Sequence, residues 1–339
     1  MRIEPTVAEI RPVRRLQFGV LSPEDIKTMS VVTIKYPETW VSGGKPKEGG
    51  VLDAKLGTMD FHMKCETCKG NWKQCPGHFG HIELAKPVFH VGFLPVIVKV
   101  LTCVCINCSK LLVPHTHKDI IRASRLKSSR ARLNVVFNAC RSRRTCGGRK
   151  EEDVKEEETT EDIGKSGCGC VSPNYRRDGL LVNLSYGAAA NVADLQADRH
   201  MSAERALQVL RGISEEDIHL LGFDGTFCRP EWLLMTTLAV PPPHVRPSVM
   251  GDDTMRSEDD LTHQLQNIVK ANNAVLKGER SGHPSSVMEE YTYVLQYHVA
   301  AFMKNDALDS ATGATVKQRS GRPIKAIATR LKGKYGRVR

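Results

Sequence analysis

Cys65-Glu66-Thr67-Cys68 and Cys75-Pro76-Gly77-His78 stand close together near the start of the chain. A C-x2-C-x6-C-x2-H spacing puts two chelating pairs on two tight turns, and two such pairs close a tetrahedron around one Zn2+. No other feature restricts the fold as much, because a metal held this way pins two loops together whatever the hydrophobic core does. Three cysteines and one histidine fill all four places, so the site is expected to be closed and structural, with no place for a reactive water. His81 and His90 are the alternative fourth ligands. His78 is preferred because Cys75-x2-His78 mirrors the first pair. Gly70 and Gly77 are the residues expected to allow the sharp turns.

The chain has 11 cysteines, which raises the question of disulfides. Met1-Arg-Ile-Glu-Pro lacks the apolar region of a signal peptide, and no run of about 18 apolar residues could span a membrane. An intracellular, reducing setting is therefore expected, where clustered cysteines hold metal rather than each other. The sequon Asn183-Leu-Ser185 is then a chance match. A second chelating pair, Cys105-x2-Cys108, follows Cys103. Its other two ligands must come from Cys140, Cys146, Cys168 and Cys170, and spacing does not choose among them. Cys228, beside Pro230 and Trp232, reads as a small buried hydrophobe.

Net charge is +11, from 49 Lys and Arg against 38 Asp and Glu over 339 residues. The positive charge is clustered, which favours a polyanionic partner such as nucleic acid. Residues 118–150 carry Lys118, Arg122, Arg125, Lys127, Arg130, Arg132, Arg141, Arg143, Arg144, Arg149 and Lys150 against Asp119 alone. Residues 313–339 contain no Asp or Glu. The acidic run at 151–162 reads as a solvated loop, since like charges this dense repel each other.

Hydrophobic periodicity and caps give the elements. Ser22 and Pro23 suit the N-cap and first position of a helix, and residues 40–60 read as loop. The apolar stretch 82–101 is expected to bury a core element against the knuckle. Leu180-Leu-Val-Asn-Leu is strand-like, Ser202 caps a helix, and Trp232 to Val240 reads as a buried strand ended by Pro241-Pro242-Pro243. Two amphipathic helices follow. The first is expected to start at a Ser257 cap, with Leu261, Leu265, Ile268, Val269 and Leu276 on its apolar face. The second carries Val287, Tyr291, Leu295, His298 and Phe302. Gly278 through Pro284 make the turn of this αα-hairpin.

The segment 65–93, from the first knuckle through Phe79-Gly-His-Ile-Glu-Leu-Ala-Lys-Pro-Val-Phe-His-Val-Gly-Phe, closely resembles the N-terminus of the largest subunit of multisubunit RNA polymerases. The version here is most similar to eukaryotic polymerase II, notably in Val100-Leu-Thr-Cys-Val-Cys-Ile-Asn-Cys-Ser-Lys-Leu-Leu112. The likeness continues in Arg229-Pro-Glu-Trp232, Val245-Arg-Pro247, Asp259-Asp-Leu-Thr-His263, Ser320-Gly-Arg-Pro-x-Lys325 and Arg330-Leu-Lys-Gly-Lys-x-Gly-Arg-Val-Arg339.

The resemblance implies an α+β clamp core and clamp head stapled by two zinc ions. The implied organisation is a clamp core with the first knuckle (1–115), a basic and acidic insertion closing the second zinc site (116–178), clamp head and lid (179–256), a coiled-coil hairpin (257–305), and the rudder with the start of a switch segment (306–339). Within these, the lid would fall near 246–258 and the rudder near 308–322. The implied ligands are Cys65, Cys68, Cys75 and His78 for one zinc, and Cys105, Cys108, Cys146 and Cys168 for the other, with Cys170 a competitor for the last place. Arg319, Arg322, Lys325, Arg330, Lys332, Lys334, Arg337 and Arg339 would contact template DNA and the DNA–RNA hybrid through phosphates. Other polymerase subunits, initiation and elongation factors at the coiled coil, a nuclear location and no membrane are the further implications. Catalytic Mg2+ in this family is held by a run with three Asp residues, and no such run occurs here. Phe223-Asp224-Gly225 matches it only superficially. The chain is therefore read as the N-terminal part of a longer subunit, with Mg2+ in the full enzyme only. The competing readings are a free-standing zinc-ribbon nucleic-acid-binding protein, and the matching part of an archaeal or other nuclear polymerase.

Overall fold

The computed structural model describes residues 12–16, 18–41, 44–143, 145–147, 167–186, 199–250, 256–306, 315–318 and 320–339. The acidic run 151–162, Arg144, Arg149, Lys150, Arg319, the middle of the expected lid and most of the expected rudder lie outside these residues. Helix α1 (Pro23–Met29) opens the described chain. Ser22 Oγ accepts from the Asp25 backbone, and the Asp25 carboxylate accepts from the Ser22 backbone, a reciprocal capping box. Short strands β1 (Trp40–Val41) and β2 (Lys45–Pro46) pair before the first knuckle.

The apolar stretch after the knuckle divides in two. Strand β3 (Gly80–Phe89) comes first, then helix α2 (Leu94–Cys103), with Pro95 in its first turn at a position that needs no N–H. Helices α3 (Lys118–Ser124) and α4 (Ser129–Cys140) follow, then the hairpin of strands β4 (Asn174–Asp178) and β5 (Leu181–Ser185). Ser202 and Ser214 cap helices α5 (Ala203–Arg211) and α6 (Glu215–Leu220). Strand β6 (Leu234–Val240) begins after a tight turn that holds Trp232, and the proline run ends it. The short pair β7 (Val249–Met250) and β8 (Arg256–Ser257) leads to helices α7 (Asp260–Arg280) and α8 (Ser285–Met303); helix α9 (Ile327–Leu331) lies near the end. The fold is a mixture of helix and strand, with antiparallel two-stranded sheets among the described residues.

The central ladder is β3 with β6, antiparallel from Gly80↔Val240 to Phe89↔Leu234. One buried cluster joins this ladder to α7 and α8 through Ile82, Val88, Leu238, Leu265, Leu295 and Phe302. A second packs α2 and α5 with the loop around the second cysteine pair, through Leu94, Ile97, Leu101, Leu207 and Leu210.

Helices α7 and α8 run antiparallel. Gln264 Nε2 donates to His298 O at 2.9 Å near one end, and Gly278 faces Met288 near the other. A Cβ on Gly278 would lie 2.8 Å from Met288 Sδ, so glycine sets the helix spacing there.

Two details differ from the sequence expectation. Asp259, not Ser257, caps α7: its carboxylate accepts from Leu261 N at 3.0 Å, while Ser257 is taken up by pairing with Val249. Val275 rather than Leu276 completes the buried face of α7, and in α8 Leu295, Val299 and Phe302 are buried while Val287, Tyr291 and His298 are half-buried.

The β3–β6 register shifts between Glu83 and Val88. Two amides from the helical hairpin meet the backbone on β3 around that break. Asn272 accepts from Ala85 N at 2.8 Å and donates to Glu83 O at 2.9 Å. Gln296 accepts from Phe89 N at 2.6 Å and donates to Phe89 O at 2.8 Å. Each buried Leu or Phe of the hairpin contributes about 1.5–3 kcal/mol, and each such hydrogen bond a net of about 1 kcal/mol. Apolar burial therefore drives the docking, and the amides fix where on the strand it happens.

Arg246, 1% exposed, ties three further segments. It donates to Pro241 O at 2.9 Å, Val51 O at 2.6 Å and Thr262 Oγ1 at 3.1 Å. Burial pulls its pKa down to about 10. The described tail is anchored in the same way. Asn305 bonds Val316 O at 2.9 Å, Ile324 O at 3.0 Å and Val316 N at 2.8 Å, and Asp260 accepts from Gln318, Arg322 and Lys325 N. Replacing Gln296 by Ala leaves two buried backbone groups of Phe89 unpaired. It should cost about 1–3 kcal/mol, read as a lower urea midpoint than the wild type under identical metal loading.

Candidate metal centres

Two four-donor groups form among the described residues: Cys65, Cys68, Cys75 and His78, and Cys105, Cys108, Cys146 and Cys168. Within each, the donor atoms all lie within 4.8 Å of one another.

The first pair of each group is the same turn built twice. Cys65 N donates to Gly70 O at 3.0 Å while Lys69 N returns to Cys65 O at 2.9 Å. In the second, Cys105 N donates to Lys110 O at 2.8 Å and Ser109 N to Cys105 O at 3.0 Å. The left-handed residue is Lys69 (φ +58°) or Ser109 (φ +59°), one past the second cysteine. The expectation for Gly70 is thereby corrected: the unusual conformation falls on a side-chain-bearing residue, at a cost of roughly 1–2 kcal/mol, and the turn must be enforced by its ligands. Gly77 behaves as expected, at φ +85°, and a Cβ there would lie 2.7 Å from Pro242 Cβ.

The second half of the second group explains which cysteines take part. Cys146 N donates to Cys170 O at 2.9 Å and Gly169 N to Cys146 O at 3.1 Å, so the two strand ends face each other. Cys168 turns its sulfur inward. Cys170 contributes its backbone, with its sulfur 3.7 Å from Val171 O. Cys140 and Cys103 are fully buried in the core, and the Cys103 thiol donates to Lys99 O at 3.1 Å.

The donor spacing fits a tetrahedral ion. Cys105 and Cys168 sulfurs are 3.5 Å apart, and those of Cys108 and Cys146 3.6 Å. A disulfide needs about 2.05 Å, whereas metal–sulfur bonds of about 2.3 Å in a tetrahedron give edges of about 3.8 Å. His78 Nε2 is buried without a hydrogen-bond partner, an acceptor that a cation would satisfy. His81 is turned away: its Nδ1 is 2.7 Å from Ser30 Oγ and its Nε2 3.2 Å from Thr33 Oγ1, and burial lowers its pKa. His90 packs on Phe93 and accepts from Gly92 N at 3.1 Å.

One neighbour is not signalled by any spacing. His244 lies against the first group, where a Cβ on Gly57 would stand 3.2 Å from its Cε1 and 3.3 Å from Cys75 Sγ. Both its ring nitrogens are buried without hydrogen-bond partners.

Each group mixes thiols of opposite tendency. The adjacent His78 imidazole holds exposed Cys68 down to about 6, and the backbone N–H of Cys170 holds Cys168 down to about 7. Burial pushes Cys75 and Cys146 up to about 11 and raises Cys105 as well. Without a cation these buried thiols keep their protons at neutral pH; a divalent ion such as zinc must displace them.

The basic residues of the tail are placed unequally. Arg322 and Arg330 pair with Asp260 at 3.1 Å and Asp259 at 2.5 Å, while Lys325 exposes its side chain. Lys332, Lys334, Arg337 and Arg339 are exposed. Asp224 accepts from Thr226 N at 2.9 Å in a tight turn, as a turn residue does.

The family described as RNA polymerase Rpb1, domain 1, matches residues 10–339. The chain belongs to this family. It is the N-terminal domain of the largest subunit of a multisubunit RNA polymerase, with the other polymerase subunits and nucleic acid as its partners. The complex in which that subunit works is a DNA-directed nucleotidyltransferase. No described helix of this Rpb1 domain is long and apolar enough to cross a membrane.

Loading both groups at pH 8 should release at least three protons per chain, from Cys75, Cys105 and Cys146. Calorimetric titration with Zn2+ in buffers of different ionisation enthalpy measures this number. Because Cys75, Cys105 and Cys146 titrate well above neutrality without a metal, metal affinity should fall steadily as pH is lowered from 8 to 6.

Proposed function

We propose that the chain is the clamp of a polymerase II-type largest subunit, working in the nucleus. It holds template DNA and the DNA–RNA hybrid while other parts of the enzyme carry the catalytic Mg2+. Zn2+ fills both four-donor groups as a structural ion. Cys65, Cys68, Cys75 and His78 hold one, and Cys105, Cys108, Cys146 and Cys168 the other, leaving no open position for chemistry. The zinc cross-links loops that are separate in sequence, and the protein supplies turns that bring the sulfurs together.

The observation that carries the nucleic-acid role is the exposure of Lys332, Lys334, Arg337 and Arg339 in a stretch without any acid, beside the base of the α7–α8 hairpin. Cations free of carboxylate partners neutralise phosphates without reading bases, as an enzyme that transcribes any sequence requires. Arg322 and Arg330 serve a different purpose in this reading. They tie the tail to Asp260 and Asp259 and so set where the free cations stand. The outer surface and tip of the hairpin are the docking post for initiation and elongation factors.

Metal analysis of the purified chain should give two zinc ions; one or none removes a staple from this reading. Cys75→Ser should lose one zinc and unfold the first knuckle, seen as new protease cleavage between residues 57 and 79. Lys332→Glu with Lys334→Glu should weaken binding to a DNA–RNA hybrid by about tenfold or more and lower the salt slope by about 2. The loss should be equal for unrelated sequences; a sequence-dependent loss, or none, overturns the phosphate assignment.

A further inference from the structure

Helices α3 and α4 carry a charge imbalance that the reading above leaves unused. Lys118, Arg122 and Arg125 recur at intervals of four and three, which puts them on one side of α3. Lys127 lies in the connection to α4, Arg130 in its first turn, and Arg141 at its C-terminal cap. All six side chains are exposed, and none has an ion-pair or side-chain hydrogen-bond partner among the described residues. Arg132, in the same stretch, is 7% exposed and donates to Leu126 O at 3.2 Å.

Among the described residues, the acids nearby do not balance the six. Helix α6 packs against both helices, but its Glu215 pairs with Arg229 at 2.7 Å, and its Asp217 is buried against His115 at 2.8 Å. Among the described residues, Asp119, beside His117, and Glu216 are the acids left on this side. The face also lacks an apolar anchor: Ile121, 42% exposed, is the one large hydrophobic residue it shows. A protein partner would want an aromatic or aliphatic centre with few charges; a nucleic-acid partner wants a polar, strongly positive surface. With no exposed aromatic ring for a base to stack on, a duplex suits it better than a single strand. The α3 row spans about 10 Å, along which a duplex presents roughly six phosphates.

We propose that the α3–α4 face binds the phosphate backbone of a nucleic-acid duplex without reading its bases. The proposal extends the nucleic-acid role given above and assigns a second contact surface, separate from the tail.

The test uses the full zinc-loaded chain and two unrelated fluorescent DNA duplexes, with anisotropy measured across a salt series. Lys118→Glu, Arg122→Glu and Arg125→Glu together should weaken both duplexes equally, by about tenfold or more, and lower the salt slope by about 3. The corresponding triple Gln variant should show a smaller loss in the same direction and guards against misfolding of the Glu variant. Zinc content and circular dichroism should match the wild type. Wild-type binding by both triple variants, while Lys332→Glu with Lys334→Glu still loses affinity, overturns this inference and leaves the proposed function standing. A wild-type chain that binds no duplex overturns both. A loss confined to one duplex sequence overturns backbone binding. If an oligoglutamate peptide of equal charge binds more tightly than either duplex, and the variants lose only the peptide, the face belongs to an acidic protein and the inference falls.

Discussion

The pairing of β3 with β6 is the constraint on which the rest of the structure depends. A two-stranded ribbon is not stable alone in water, so this one survives only if what lies against it supplies the burial. The α7–α8 hairpin covers one part through Leu265, Leu295 and Phe302, and the α2–α5 cluster receives Phe89 and Leu234 from the end of the ladder. The ladder's irregular middle makes the fit specific. Its backbone groups find Asn272 and Gln296, which sit on different helices and can reach β3 together only when the hairpin is docked in one register.

Around the base of the hairpin, charge is used for fastening. Arg246 gives up its hydration to bridge Val51, Pro241 and Thr262, and Asp260, 4% exposed, gathers Gln318, Arg322 and Lys325 N. Burying an isolated guanidinium is unfavourable by several kcal/mol. The carbonyl partners offset part of that cost, and the nearby Asp259 and Glu258 charges offset more. The outcome is that strand end, helix start and tail occupy fixed places relative to one another.

Much of this was legible in the residues. Capping serines at 22, 202 and 214, the alternation in 180–185 and the long apolar stripes are local signals, and the structure follows them. The first metal group was readable because all four donors lie within fourteen residues of each other. The second was not, since Cys105 and Cys168 meet only after β4 and the turn at Gly169 bring distant loops together; Cys140 and Cys170 are equally good by composition. Ser257 and Asp259 are both good caps on paper, and pairing with Val249 decided between them. Arg246, Asn272 and Gln296 left no trace in any pattern. Their importance comes from partners in other elements, as does the pairing that removes Arg322 and Arg330 from the free positive charge.

Each metal group has one exposed cysteine, Cys68 in the first and Cys168 in the second, while at least two of its other donors are buried residues. Each centre is therefore most accessible to a chelator or an oxidant at one exposed cysteine, with buried donors behind it.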